Sequence, residues 1–198
     1  MFLRFKILFY VFRNIIYFKF HKRISFGNRL RVRGSIITDI GNNAEFIIGD
    51  NFELTSGLMI NPLGRNIKSY IRINSNSRIL IGDNVGMSCV TLWAKKSISI
   101  GNNVKIGADV LIMDSDMHSL DFHLRRDSKL DASNAKSAPV FIGDDVFVGT
   151  RSIIMKGVKI GARSIVAAGS VVTKSIPVDQ IWGGNPAVFL KCIDKNEF

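Results

Sequence analysis

From residue 142 the chain repeats itself every six residues: IGDDVF, VGTRSI, IMKGVK, IGARSI, VAAGSV, VTKSIP. The first position is Ile142, Val148, Ile154, Ile160, Val166 and Val172, aliphatic each time, and a small or turn-forming residue (Gly143, Gly149, Gly161, Ala167) usually follows. The same phase returns at Ile100, Ile106 and Ile112, and weaker copies start at Ile81 and Met87 and at Ile48, Leu54 and Ile60. One inward aliphatic in six fits neither helix periodicity nor simple strand alternation. It fits a coil of short parallel strands with a corner every sixth residue, stacked so that the aliphatics form ladders down the axis. Gly and Asn at the corners are expected to supply the positive φ of a tight turn. Ile48 to Ile81 spans 33 residues and Ile81 to Ile100 spans 19, neither a multiple of six, so loops must absorb the slips. The pattern predicts an all-β chain built as a parallel β-helix prism.

The 198 residues suit one domain with a short appendage, and a hydrophobic fraction of 46% excludes a disordered chain. Two cysteines, Cys89 and Cys192, make no disulfide framework and fit a reducing, cytoplasmic compartment. The formal charge of +11 is uneven: residues 1–33 carry nine Lys or Arg and no acid, leaving +2 for the other 165. The basicity therefore belongs to the N-terminus and not to the body.

Residues 2–20, FLRFKILFYVFRNIIYFKF, are apolar but interrupted by Arg4, Lys6, Arg13 and Lys19. That is too broken for a spanning helix, which wants about 20 apolar residues in succession, and no small-residue cleavage site follows. Residues 1–25 read as a helix that either lies in a membrane interface or packs on the body or a neighbouring subunit. Cations among aromatics suit an anionic inner leaflet, so residues 1–23 are a candidate for peripheral membrane association. Nucleic acid is not expected, because most of the arm is large and apolar.

The hexads stop between Ile112 and Val140. The insertion, residues 113–139, reads MDSDMHSLDFHLRRDSKLDASNAKSAP and holds His118 and His123. A long insertion on a rigid scaffold is usually functional. A histidine is the side chain whose pKa suits removal of a proton from an alcohol, and a nearby carboxylate can fix its tautomer. Asp114-Ser115-Asp116-Met117-His118 supplies both types, and the spacing leaves Asp114 and Asp116 open as the partner, with Asp116 mildly favoured.

On these hexads and on the D-x-D-x-H run that opens the loop, residues 34–191 resemble the hexapeptide-repeat acyltransferases, closest to the branch of galactoside, maltose and capsule or O-antigen O-acetyltransferases. The resemblance implies a left-handed prism, a homotrimer, acetyl-CoA as donor without a metal, and a carbohydrate acceptor. It also implies direct transfer with His118 as general base. Ser88 stands where that branch carries an acceptor-positioning asparagine, and it or a backbone N–H of the facing coil would serve the oxyanion. Trp93, Asp114 and His123 are candidate acceptor contacts. On the donor side the resemblance implies Gly149 and Thr150 at the thioester, Ala167 and Ala168 along pantetheine, Thr173 and Lys174 further on, and Lys191 at the nucleotide phosphates. Val188 replaces an arginine of some members. Residues 178–198 are expected to cover the open end of the prism.

Competing expectations remain: an antibiotic or amino-sugar N-acetyltransferase on the same fold, a non-catalytic scaffold, or a zinc enzyme like the γ-class carbonic anhydrases. The last needs about three ligands, and residues 22–117 contain no histidine.

Overall fold

The structure, a computed structural model, describes residues 2–57 and 60–194. Met1, the side chains of Phe2, Leu3 and Arg4, residues 58–59 and residues 195–198 of the expected C-terminal segment lie outside the described ones. The chain begins with helix α1 (Phe2–Phe20) and then winds six coils, each contributing one strand to each of three faces. The first coil is β1 (Ile24–Phe26), β2 (Arg31–Gly34) and β3 (Ile37–Ile40); the second is β4 (Glu45–Ile48), β5 (Glu53–Ser56) and β6 (Tyr70–Ile73). The third is β7 (Arg78–Ile81), β8 (Gly86–Ser88) and β9 (Thr91–Ala94); the fourth is β10 (Ser97–Ile100), β11 (Lys105–Ile106) and β12 (Leu111–Met113). After helix α2 (Ser128–Asn134) in the insertion, β13 (Val140–Ile142), β14 (Phe147–Val148) and β15 (Ile153–Ile154) make the fifth coil. β16 (Lys159–Ile160), β17 (Ile165–Val166) and β18 (Val171–Val172) make the sixth.

All coil-to-coil pairing is parallel, and the register stacks the predicted aliphatics. Ile48, Ile81, Ile100, Ile142 and Ile160 form one ladder on the first face. Leu54, Met87, Ile106, Val148 and Val166 form the second. The third runs through Ile71, Leu92, Ile112, Ile154 and Val172. All fifteen are buried in one continuous core. Ile60, expected on that third ladder, is only half-buried; Ile71 takes the rung, because the second coil throws out a loop before β6.

The corners bear out a second expectation in part: Gly157 and Gly169 hold φ of 76° and 73° as expected. Asn51, Asn84, Asn103 and Asp145 hold φ of 56–59° between the first and second faces and hydrogen-bond one another in a ladder at 2.9–3.0 Å. The glycines just before them serve a different need. A Cβ built on Gly101 would lie 2.9 Å from the backbone N of Asp144 in the next coil, so glycine permits close stacking there rather than a positive φ.

The N-terminal end of the prism is closed by α1. Arg31 pairs with the second coil, so the carbonyls of Val32 and Gly34 point off the free edge. The Asn14 side-chain amide, 1% exposed, donates to both at 2.9 Å, while Phe18 packs on Phe26 and Phe46. α1 is thus a cap over an edge that would otherwise invite pairing. At the far end β19 (Gln180–Gly184) adds a rung to the second face and β20 (Ala187–Cys192) folds back antiparallel on it. This segment extends one face as a hairpin, with Ala187 buried and Trp182 packed against the core.

Candidate active site

The insertion leaves the corner after β12, where the third face turns to the first, and its two ends are zipped together. Ala138 N donates to Asp114 O and Asp116 N donates to Lys136 O, both at 2.9 Å, around an antiparallel bridge between Ser115 and Ser137. Asp127 caps α2 by accepting from Lys129 N and Leu130 N. That short helix presents Asp131 to the histidine: Oδ2 lies 2.6 Å from His118 Nδ1, and Oδ1 accepts the Ser119 N–H at 2.7 Å. The His118 hydrogen bond, then the Ser119 N–H, holds the Asp131 carboxyl below the usual carboxylate range. With Nδ1 directed at a carboxylate, Nε2 is the nitrogen able to take a proton, and the His118 side chain is 71% exposed against 14% for Asp131.

Neither carboxylate named from the sequence contacts this histidine. Asp114 is fully buried, and its two oxygens accept Lys95 N and Lys96 N at 2.7 Å each. Burial pushes its carboxyl up, partly offset by those backbone donors. It ties the loop base to the corner of the coil beneath and is not presented to an acceptor, contrary to expectation. Asp116 reaches Lys156 Nζ at 3.0 Å instead of His118, and its Oδ2 is buried without a hydrogen-bond partner among the described residues. Sequence reasoning missed Asp131 because it lies thirteen positions beyond His118 along a non-repeating loop, and no periodicity sets their register.

The remaining candidates divide between two edges of the prism, on either side of the third face. Ser88 ends β8, and Gly149, Thr150, Ala167 and Ala168 follow β14 and β17, so they stack along the edge between the second and third faces. Ser88 Oγ accepts from Thr55 at 2.7 Å and helps line a shallow 270 Å³ depression on the second face with Lys105 and Phe147. A Cβ on Gly149 would stand 2.5 Å from Ala168 N, so this edge is packed backbone on backbone while Ala168 itself is exposed. Thr173 and Lys174, both exposed, follow β18 on the same edge as His118. Lys191 is exposed on β20 opposite Ile181.

One chain therefore does not bring Ser88 and the Gly149–Ala168 edge to His118. Trp93 lies one rung below Met113 at the loop's exit, but its indole N–H donates to Asn74 and the Arg72 guanidinium stacks on its ring at 4.7 Å. His123 stacks on Phe122 at 3.9 Å within the loop. Among the described residues no group of three or more His, Cys, Asp or Glu converges, as a zinc centre would require.

A family model described as the hexapeptide repeat of succinyl-transferase matches residues 139–174. The galactoside O-acetyltransferase of Lactococcus lactis subsp. lactis is 30% identical over 151 residues, 76% of this chain and 65% of that protein. A 2,3,4,5-tetrahydropyridine-2,6-dicarboxylate N-acetyltransferase of Clostridium perfringens is 46% identical over 57 residues, 29% of this chain and 24% of that protein. Among solved structures, a hexapeptide-repeat-containing acetyltransferase from Vibrio cholerae aligns with a TM-score of 0.54 at 29% identity, over 79% of this chain and 74% of that one. The chain thus spans about a quarter of one of these curated relatives and just under two thirds of the other. Hexads, coil register and these likenesses agree: the chain is a hexapeptide-repeat protein that resembles the acetyltransferases built on that repeat and carries their left-handed parallel β-helix.

Proposed function

We propose that the protein is an acetyl-CoA-dependent O-acetyltransferase acting on a hydroxyl of a sugar or polysaccharide precursor. The observation that carries this reading is the His118–Asp131 pair, held at the mouth of a loop that interrupts the hexads. Nδ1–H donated to Asp131 leaves the Nε2 lone pair for the acceptor hydroxyl. As the hydroxyl proton passes to Nε2, the oxygen attacks the thioester carbonyl; the C–S bond then breaks to leave the acetyl ester, and the coenzyme A thiolate takes the proton back from Nε2, without an acyl-enzyme. Asp131 stabilises the imidazolium formed meanwhile and is a positioning residue.

The donor fits the edge where small residues stack. Ala168 is exposed there to a linear pantetheine arm, and exposed Lys191 on β20 and Lys174 on the His118 edge are available for the phosphates. His118 and this edge flank one face of the same prism, which supports a homotrimer in which the His118 edge of one copy meets the donor edge of the next. Ser88 then stands on the donor side of that shared site, where its hydroxyl or a backbone N–H receives the oxyanion. The same reading sets the reaction at the cytoplasmic side of a membrane, met through residues 1–23.

The test is acetyl-CoA binding by calorimetry, followed by release of free thiol over a panel of sugar and amino-sugar acceptors. Binding near one donor per chain with turnover on hydroxyl acceptors supports the proposal. A folded protein that binds no acetyl-CoA overturns it, and turnover on amines alone would reassign the enzyme to N-acetyl transfer.

A further inference from the structure

Helix α1 carries two apolar faces, and the prism uses only one. At 3.6 residues per turn, Ile7, Val11, Asn14, Ile15 and Phe18 fall on the side packed over the first coil, where they are half-buried or buried. On the opposite side Phe5, Leu8, Phe9 and Phe12 are 61–67% exposed, and Ile16 and Phe20 are exposed with them. These six cover an arc of roughly 120°. Lys6 and Arg13 border it, Lys19 lies in its last turn, and the helix has no acid. A contiguous apolar surface of this kind marks an interaction site.

We infer that this outer face of α1 lies in the headgroup layer of an anionic membrane. It sharpens the membrane association proposed above and stands independently of acetyl transfer. Among the described residues no helix is long and apolar enough to cross a membrane, so α1 lies on the surface. The charges choose the occupant. A second copy packed face to face would set Lys6, Arg13 and Lys19 against the same cations with no acid on either helix, whereas anionic lipid supplies the counter-charge.

The cap geometry also sets orientation. Asn14 and Phe18 hold α1 across the open end of the prism, so the apolar arc faces away from the coils. The His118 loop leaves the fourth coil, roughly 15 Å from the first at about 4.8 Å per coil, and so stands clear of the bilayer.

Deleting residues 1–23 would remove the cap along with the anchor, so point substitutions are needed. The full-length protein is sedimented with vesicles of phosphatidylcholine, alone or mixed with phosphatidylglycerol. The wild type should pellet with the mixed vesicles and bind neutral ones at least about tenfold more weakly. Phe5→Ser/Phe9→Ser/Phe12→Ser should stay in the supernatant with an unchanged unfolding midpoint. Lys6→Gln/Lys19→Gln should weaken binding to mixed vesicles by about fivefold per lysine. A wild type indifferent to phosphatidylglycerol, or a triple variant that still pellets, overturns the inference. An assembly that shrinks in the triple variant, with no vesicle binding by the wild type, would give the face to a second copy.

Discussion

Asp131 Oδ2 sits 2.6 Å from His118 Nδ1, and the same carboxylate accepts the Ser119 N–H, so one side chain fixes both the ring and the backbone beside it. Replacing His118 by Ala should lower kcat by roughly 10²–10⁴ while donor affinity stays nearly intact. Asp131→Asn keeps the size but removes the charge and offers an amide that can hold the ring in the opposite tautomer. It should lower kcat by at least about tenfold with little change in acceptor KM. Steady-state kinetics with calorimetric donor binding separates the two effects; wild-type turnover in Asp131→Asn would remove the pair from the mechanism.

The same bond makes the loop sensitive to acid. The Asp131 pKa is depressed in the folded protein, so the stabilisation is present above the ordinary carboxylate range and is lost as pH falls through the depressed value. Asp114 runs the other way: burial raises its pKa, so its contribution favours the fold below that raised value and declines as pH rises through it. Limited proteolysis within residues 119–135 should therefore accelerate on acidification in the wild type. In Asp131→Asn it should be fast and flat with pH.

Asp114 is predicted to matter for stability rather than for turnover. In Asp114→Asn one oxygen can still accept Lys95 N, but the amide opposes the Lys96 N–H, leaving a buried donor unpaired. The cost should be about 1–3 kcal/mol by chemical unfolding. Asn14→Leu at the other end strands the carbonyls of Val32 and Gly34 and should cost a similar amount, about 1–3 kcal/mol.

The donor edge can be tested without disturbing the core. Ala168 is exposed at a corner, so Ala168→Trp should leave the unfolding midpoint unchanged while weakening acetyl-CoA binding by at least about tenfold. Unchanged binding would move the donor off this edge.

If neighbouring copies complete each site, two inactive chains should rescue one another. Co-refolding His118→Ala with Ala168→Trp leaves about one interface in four with both edges intact. Activity of that order supports a shared site, and none at all would confine the chemistry to one chain.

How much of this was legible beforehand follows from what each contact depends on. The aliphatic at every sixth position is a local requirement of a corner-and-strand coil, so Ile142 to Val172 announced the prism and its core without any knowledge of what touches what. The insertion announced itself as the place where that requirement lapses, with His118 as the candidate base within it. The helix at residues 1–25 was also visible, but not that Asn14 would be its buried contact, because capping depends on two carbonyls eighteen and twenty residues away. Ile60 kept the hexad phase and still left the ladder, since a loop before β6 moved the rung to Ile71.

The sequence by itself determined the coil, its axis of aliphatics and the site of its interruption, because these repeat at short range. Only the tertiary structure decided that Asp131 and not Asp116 meets His118, that Asp114 is spent on two backbone amides, and that the Gly149–Ala168 edge and the histidine edge lie on opposite sides of one face. Those pairings are set by how a non-repeating loop folds back on a rigid prism, and no periodicity encodes that return.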